Sequence, residues 1–152
     1  FKSFSSTLNK FDNEHGFANS RARWRMATLY QVAAANQGIV VGTGNKVEDF
    51  GVGFYTKYGD GGVDISPIAD CNKTEVWELG KELGILKEII DAPPTDGLWD
   101  DGRTDEGQLG LSYKELEEAM DNENSVNRDK YNSIRSANLH KMEPIPVCKI
   151  PN

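Results

Sequence analysis

The sequence predicts an α/β fold built on a doubly wound parallel sheet. A helical pattern that ends near Asn36 leads into Ile39-Val40-Val41, a short β-branched run typical of a buried parallel strand. A polar turn of glycine, threonine and asparagine follows at once over 42–45. This order of helix, buried strand and polar turn is characteristic of α/β proteins, which bind ligands where such strands end.

The first elements follow from capping and apolar spacing. Residues 1–18 are expected to form a loop or a short helix. Asn19 or Ser20 can cap a helix that begins near Arg21, because a side-chain oxygen at that position accepts from an exposed backbone amide. The apolar face of this helix consists of four residues at helical spacing: Met26, Leu29, Tyr30 and Ala33.

The segment 51–62 contains five glycines interleaved with aromatic residues. Because glycine loses much backbone freedom on folding, we expect no regular element at this density. The aromatic side chains, among them Phe54 and Tyr55, indicate that the segment is packed against the rest of the protein.

The chain beyond residue 70 shows helix caps and breaks. Asn72 and Glu75 form a capping-box pattern for a second helix, which Gly84 ends. Prolines break the chain over 91–97. The acidic stretch 99–108 is predicted to be an exposed, mobile loop.

The last elements repeat these signals. Ser112 and Glu115 form a second capping pattern, for a helix through about Met120. Another helix is predicted from Arg128 to Asn138. An extended tail follows, which contains Pro144, Pro146 and Pro151.

Composition limits the classes of function. The 152 residues are 38% hydrophobic and 27% charged, as is usual for one globular domain. The net charge of −7 argues against nucleic acid as a partner, because phosphate backbones require clustered cations. No apolar run is long enough for a membrane span. The two cysteines, Cys71 and Cys148, cannot form a disulfide framework, so we expect the cytoplasm.

The turn after the predicted strand is a candidate phosphate site. Glycines let backbone amides approach phosphate oxygens, and Thr43 adds a hydroxyl. Glu48 can supply a carboxylate to Mg²⁺, which takes one or two protein carboxylates beside phosphate and water. The alternative is a plain turn in which Glu48 is solvated.

The stretch 56–64 combines unlike charges with glycine. Lys57 is suited to a phosphate, and Asp60 and Asp64 can accept from ribose hydroxyls, an amine or ammonium. The alternative is a surface Ω-loop.

Cations at the predicted helix ends are further candidates for anion binding. Arg23 and Arg25 are expected in the first turn of one helix and Lys73 in the first turn of another, where the helix dipole disfavours them. An anionic partner would offset this mismatch, and the alternative is solvation. His140 and Lys141 close a later helix, where capping alone explains cations.

Together these segments resemble the ammonia-dependent NAD synthetases of the ATP-pyrophosphatase superfamily. The most specific blocks are Val-Gly-Thr-Gly-Asn-Lys-Val-Glu at 41–48 and Thr-Lys-Tyr-Gly-Asp-Gly-Gly at 56–62. The other matching blocks, in the family's order, are 20–26, 72–76, 92–96, 105–110 and 140–141. The resemblance implies a Rossmann-like, adenine nucleotide alpha hydrolase-like sheet, of which this chain would hold an incomplete C-terminal part.

The resemblance also implies a reaction. The family activates deamido-NAD with MgATP to an adenylate and pyrophosphate, and ammonia then gives NAD and AMP. By motif position the ATP contacts are Thr43, Lys73 and Thr95, the Mg²⁺ ligand is Glu48, and the deamido-NAD contacts are Arg23, Lys57, Asp64, His140 and Lys141. Several of the deamido-NAD contacts would lie across a homodimer interface. Asp60 is the candidate that holds ammonium and takes its proton.

One departure from the family bears on activity. The Ser-Gly-Gly-x-Asp-Ser pyrophosphate loop is absent, with the second carboxylate usually paired on Mg²⁺, and the chain begins at Phe1. We therefore expect residues 1–152 to be the C-terminal portion of one synthetase domain, inactive by itself. Two alternatives are the synthetase part of a glutamine-dependent enzyme and a non-catalytic nucleotide-binding or dimerisation module.

Overall fold

A computed structural model describes residues 1–151, apart from the side chain of residue 8, and this part of the chain is mainly helical. Its seven α-helices are α1 Lys2–Ser6, α2 Glu14–Ala35, α3 Lys73–Glu82, α4 Lys87–Ile90, α5 Asp105–Leu109, α6 Tyr113–Asp121 and α7 Arg128–Met142. A 3₁₀ turn covers Asn9–Phe11, and a π-helix covers Lys46–Val52. None of these helices is long and apolar enough to cross a membrane.

Helix α2 begins earlier than the sequence predicts. Asn13, not Asn19 or Ser20, is its N-cap, and the Asn13 side chain accepts from the Gly16 amide at 2.6 Å. Capping preference alone does not choose between successive candidates, and nothing breaks the helix between residues 14 and 21. The expected C-terminal end is confirmed, because Asn36 is the C-cap.

The predicted strand at 39–41 is not a strand in the described chain. Val41 and Ile65 form an isolated parallel bridge, in which the Gly42 amide donates to the Ile65 carbonyl at 2.7 Å. Val40 is buried as expected, whereas Ile39 and Val41 are about half exposed. A regular strand needs neighbours along its length, and within residues 1–151 this segment pairs only at one point.

The glycine-rich region also differs from expectation, because its first residues belong to the π-helix. Asn45 caps this helix through its side-chain oxygen, which accepts from the Val47 and Glu48 amides at 3.0 Å each. Gly53 ends it with φ of 65°, a left-handed conformation that glycine adopts without steric cost. A π-helix is a rare element that is often found at functional sites.

The core lies where the π-helix packs against α6 and α7. Its buried members are all apolar or aromatic: Val47, Val52, Leu109, Leu111, Tyr113, Leu116, Ala119 and Tyr131. Helix α6 has the capping box that the sequence predicts, with Ser112 and Glu115. Asn72 likewise caps α3, and Glu75 accepts from the Asn72 amide at 2.7 Å.

The predicted loop 99–108 is exposed over 100–103 as expected, whereas its last residues belong to α5, which begins at Asp105. Asp96 accepts from the Leu98 amide at 2.8 Å and from the Gln108 side chain at 3.1 Å. Arg25 of α2 donates to the Gly97 carbonyl at 2.7 Å. Residues 96 and 97, just before this loop, are therefore hydrogen-bonded to both α2 and α5.

We expect the Leu116→Ala substitution to lower the free energy of unfolding by about 2–5 kcal/mol, because this fully buried side chain would leave a cavity in the core. Leu83→Ala is the matched control, since Leu83 is 77% exposed, and it should change stability by less than about 0.5 kcal/mol. Urea unfolding of the full chain measures both. Equal losses in the two variants would contradict the position of the core.

Candidate functional site

A cavity of about 450 Å³ opens between α2, the turn at 42–44, the π-helix and α3. Five of the predicted site residues line it: Thr43, Glu48, Asp60, Lys73 and Thr95. The three residues that the resemblance assigns to ATP therefore face one space, although they are far apart in the sequence.

Glu48 lies at the centre of this cavity's polar wall. The Lys73 ammonium donates to Glu48 Oε1 at 2.9 Å, and both side chains are largely buried. The Tyr113 hydroxyl donates to the same oxygen in a short hydrogen bond. Lys73 is the first residue of α3, so the anionic partner expected for a cation in a first helical turn is the Glu48 carboxylate.

Tyr113 also connects Glu48 to a second carboxylate. Its hydroxyl lies 3.1 Å from Asp105 Oδ2, and its ring lies 4.8 Å from the Lys73 ammonium. Burial raises the pKa of Tyr113, and the Glu48 and Asp105 charges raise it further. The phenol is therefore a permanent proton donor in this cluster.

Asp105 is the second buried carboxylate of the cavity wall and is only 6% exposed. Burial raises the pKa of Asp105, and its contact with Tyr113 opposes the shift. Its Oδ1 atom has no hydrogen-bond partner among the described residues. Such an atom is unusual, because buried polar atoms are almost always hydrogen-bonded.

The donor set around Glu48 fits Mg²⁺. Hard oxygen ligands from one or two carboxylates are what this ion takes beside phosphates and water. Glu48 supplies one such carboxylate, and the unsatisfied oxygen of Asp105 lies in the same wall. No group of three or more ligating side chains occurs within residues 1–151, so any cation here would depend on further ligands.

A second cavity, of about 490 Å³, adjoins the first. It is lined by four of the predicted deamido-NAD contacts, namely Arg23, Lys57, His140 and Lys141. Trp99 and Tyr55 add aromatic surface. The cavity therefore combines cationic and aromatic groups, which suits an anionic ligand that carries a planar ring.

Hydrogen bonds connect the C-terminal end of α7 to residues 53–62, which we call the glycine-rich loop. Lys57 Nζ donates to the His140 carbonyl at 2.6 Å, and Lys141 Nζ donates to the Gly53 and Tyr55 carbonyls at 2.8 and 2.7 Å. Tyr55 donates in return to the Lys141 carbonyl at 2.6 Å. Burial lowers the pKa of Lys141. These bonds fix the wall of the second cavity.

Asp60 lines both cavities, as does the Phe54 ring. Desolvation by the surrounding protein raises the pKa of Asp60, while the Thr56 amide, which donates at 2.9 Å, and Lys141 lower it. The carboxylate is thus placed at the junction of the two spaces and held by a backbone amide.

Asp49 closes the first cavity beside the glycine turn. Desolvation and the charges of Glu48 and Asp60 raise the pKa of Asp49 to about 6. Its carboxylate lies directly against Gly44, where an added Cβ would be only 2.0 Å from Asp49 Oδ2. A side chain at position 44 would therefore displace the Asp49 carboxylate from this place.

One expectation about individual residues is wrong, and one predicted contact lies outside both cavities. Arg23 and Arg25 lie in the middle of α2 and not in its first turn, because α2 begins at Glu14, so the helix-dipole argument does not apply to them. Asp64 lies apart from both cavity walls, where it accepts from the Val40 amide at 2.7 Å and the Tyr30 hydroxyl at 3.2 Å.

Sequence reasoning missed three residues of the site. Asp105 and Asp96 stand within motifs that resemble the family, yet no role was assigned to them. Tyr113 directly follows the cap residue Ser112, and no sequence pattern indicates a functional role for it.

Comparison with solved structures identifies the fold. The NMN synthetase of Francisella tularensis aligns with 98% of this chain over 63% of its own length, with a TM-score of 0.90 and 34% identity. The ammonia-dependent NAD synthetase of Campylobacter jejuni aligns with 95% of the chain over 63% of its length, with a TM-score of 0.67. At 24% identity the second likeness shows the fold alone. The described helices thus form part of the fold shared by these synthetases.

A family model described as NAD synthase matches residues 1–148, and the chain therefore belongs to the NAD synthase family. The ammonia-dependent NAD synthetase of Alkaliphilus oremlandii is 49% identical over 135 residues, which are 88% of this chain and 53% of that protein. That of Methanosarcina acetivorans is 51% identical over 102 residues, or 67% and 39% of the two chains. The chain spans about half the length of the curated relatives it matches.

We expect Gly59→Ala to separate the glycine-rich loop from α2. An alanine Cβ at this position would lie 2.9 Å from the Ala22 Cβ and the Thr56 Cβ, so the free energy of unfolding should fall by about 1–3 kcal/mol. Gly38→Ala is the control, because its Cβ would meet nothing nearer than the Ala33 carbonyl at 3.7 Å. Thermal denaturation of the full chain measures both, and a Gly59→Ala variant as stable as the control would contradict the close approach.

Proposed function

We propose that this chain carries out, within a longer synthetase, the ATP-dependent amidation of deamido-NAD by ammonia, giving NAD, AMP and pyrophosphate through an adenylate. One observation carries this proposal. Thr43, Lys73 and Thr95 line one cavity with Glu48, and the cationic second cavity adjoins it across Asp60. Two reactants, one in each cavity, can therefore both reach the Asp60 carboxylate.

The first cavity is the proposed ATP site. The Thr43 and Thr95 hydroxyls would donate hydrogen bonds to the nucleotide. The Lys73 ammonium would leave the Glu48 carboxylate and bond to a phosphate oxygen instead. Glu48 would hold Mg²⁺, which when bound neutralises phosphate charge. Lys73 would stabilise the charge that develops at the α-phosphate, because donors fixed before the reaction need no reorganisation.

The second cavity is the proposed deamido-NAD site. Arg23, Lys57, His140 and Lys141 would surround the pyrophosphate and carboxylate of the dinucleotide. Asp64 lies outside this cavity, and we propose that it meets the dinucleotide only where two copies of the chain form a homodimer. The bonds of Lys57 and Lys141 to backbone carbonyls orient these cations before ligand binds.

Asp60 is the proposed base. Its carboxylate would accept one proton from ammonium and so release neutral ammonia between the two cavities. The nitrogen lone pair then attacks the carboxyl carbon of the adenylate, and AMP leaves with the electron pair of the cleaved C–O bond. The nitrogen loses its remaining extra proton to water, which leaves the neutral amide. A raised pKa suits this role, because a base with a very low pKa takes protons poorly.

The same proposal covers the sheet, the domain to which the chain belongs and the compartment. We propose that the segments at 40–42 and 64–65 are part of a doubly wound parallel sheet, that residues 1–152 are the C-terminal portion of one synthetase domain, and that this domain acts in the cytoplasm. The single bridge from Val41 to Ile65 supports parallel pairing there. A glutamine-dependent enzyme and a non-catalytic binding module are the alternatives.

A second candidate is amidation of a mononucleotide. The Francisella tularensis protein, which superposes with a TM-score of 0.90, is named an NMN synthetase. The second cavity would then take one nucleotide and not two.

The proposal is tested by assaying AMP release and product with ATP, ammonium and each substrate, for this chain alone and mixed with the separately prepared upstream portion. We expect no turnover from the 152-residue chain alone and restored NAD formation from deamido-NAD in the mixture. Preference for the mononucleotide would favour the second candidate, and binding without turnover would favour the non-catalytic module. Glutamine in place of ammonium identifies the glutamine-dependent alternative.

Variants of the full-length enzyme test the assigned roles. We expect Lys73→Ala to lower kcat by about 100-fold, the loss typical of removing one charge-stabilising donor, and Glu48→Ala to act similarly. Arg23→Ala should instead raise KM for deamido-NAD. Lys114→Ala is the matched control, because Lys114 is exposed on α6. Steady-state kinetics measure all four, and unchanged constants in the first three would remove the assignments.

A further inference from the structure

We infer that Glu117 of α6 is a positioning residue, which holds the N-terminal end of α3 so that the Lys73 ammonium lies where the nucleotide phosphates are proposed to bind. The inference rests on the proposed function and deepens it, because it adds a residue that lines neither cavity and acts through Lys73. Glu117 lies outside every sequence block that carries the resemblance, so the motifs give it no role.

Glu117 binds the first turn of α3 with both oxygens of its carboxylate. Oε1 accepts from the Thr74 amide at 3.0 Å, and Oε2 accepts from the Thr74 hydroxyl at 2.7 Å. Thr74 is the second residue of α3, so its amide has no acceptor within the helix. The helix dipole also favours a carboxylate at this end. Two bonds to one residue fix both the position and the direction of the helix end.

Lys73 precedes this contact by one residue. It is the first residue of α3, and its ammonium donates to Glu48 Oε1 at 2.9 Å. Before it in the chain, the Cys71 carbonyl accepts from the Lys46 amide at 2.9 Å, which connects the start of α3 to the π-helix. The lysine backbone is thus held by a backbone bond on one side and by the Glu117 carboxylate on the other.

Helix α6 carries groups that orient both partners of the Lys73–Glu48 pair. Tyr113 and Glu117 are four residues apart, so they project from the same face of α6, one turn from each other. Tyr113 donates to the Glu48 carboxylate, and Glu117 accepts from the end of α3. Because Tyr113 is wholly buried in the core, this face of α6 is fixed. Helix α6 therefore sets the separation between the two partners of the ion pair.

The contact of Glu117 gains importance when nucleotide binds. Once Lys73 leaves Glu48 for a phosphate, as proposed, the ion pair no longer connects α3 to the π-helix. The two bonds from Glu117 remain, because Thr74 takes no part in that exchange. A lysine ammonium is a point charge on a flexible stem, so its reach depends on where the backbone is held. Glu117 keeps that backbone in place in the nucleotide-bound state.

The competing explanation is that Glu117 only contributes to the stability of the fold. The two explanations differ in what happens once the Lys73 ammonium has been removed. A positioning residue has nothing left to position in a Lys73→Ala enzyme, so its further loss has no kinetic effect. A general loss of stability lowers activity by the same factor in either background.

The test is a double-mutant cycle in the full-length enzyme, read from kcat for NAD formation and from the affinity for α,β-methylene ATP with Mg²⁺, measured by calorimetry. We expect Glu117→Ala to lower kcat by about 10- to 100-fold, because a small misplacement of a catalytic group has this cost. Affinity for the analogue should fall about tenfold, since one charge-assisted bond to phosphate is weakened. In the Lys73→Ala background the same substitution should change either constant by less than about twofold.

Two further variants separate positioning from stability. Glu117→Gln keeps the length of the side chain, an oxygen for the Thr74 amide and a donor for the Thr74 hydroxyl, so kcat should stay within about threefold of the parent. Glu118→Ala is the matched control, because this neighbouring carboxylate of α6 bonds to Asn122 and Ser125 instead. It should lower the melting temperature and leave kcat unchanged.

Equal losses of kcat from Glu117→Ala in the parent and in the Lys73→Ala background would overturn the inference. A folded Glu117→Ala enzyme whose two constants both match the parent would overturn it as well. Should Glu117→Ala fail to fold, Thr74→Val, which removes the hydroxyl that Glu117 accepts from, is taken through the same cycle and judged by the same criterion.

Failure of the proposed function is recognised separately from failure of this inference. An enzyme that binds the analogue but forms no NAD from deamido-NAD contradicts the proposed amidation alone, and the analogue affinities of the four members of the cycle then decide the role of Glu117. An enzyme that does not bind the analogue would overturn both.

Discussion

The hydrogen-bonded contact between Glu48, Lys73 and Tyr113 joins the main parts of the molecule. Glu48 belongs to the π-helix, Lys73 to α3 and Tyr113 to α6, and all three meet at one carboxylate oxygen. Tyr113 is wholly buried, so the same ring that fills the core also ends in the cavity wall. Stability and site geometry are therefore not independent here, because the core packing fixes the position of the hydroxyl on which the carboxylates depend.

The two cavities form one functional surface through their shared wall. Phe54 and Asp60 line both, and the hydrogen bonds of α7 to the glycine-rich loop hold the second cavity against the first. Asp60 lies between the two cavities, where the proposed reaction needs a group that accepts a proton within reach of both ligands. The arrangement gives the family assignment a geometric basis that the motifs alone do not supply.

Two helix caps were predictable from the sequence, whereas the start of α2 and the features that depend on distant packing were not. The caps at Asn72 and Ser112 were correct, because a cap is decided within four residues. The strand at 39–41 was wrong for the described chain, because a strand depends on partners elsewhere in the fold. The convergence of Thr43, Lys73 and Thr95 followed from family motifs, whereas Asp105 became visible only through its burial beside Tyr113.

The connection between α7 and the glycine-rich loop sets a constraint on how this protein can vary. Tyr131 is buried in the core near the start of α7, and Lys141 bonds to the loop near its end. Since an α-helix turns by about 100° per residue, one residue inserted or deleted between them would rotate the lysine away from the Tyr55 carbonyl. The number of residues separating these two positions is thus fixed by geometry, whereas the extended tail after Met142 is under no such constraint.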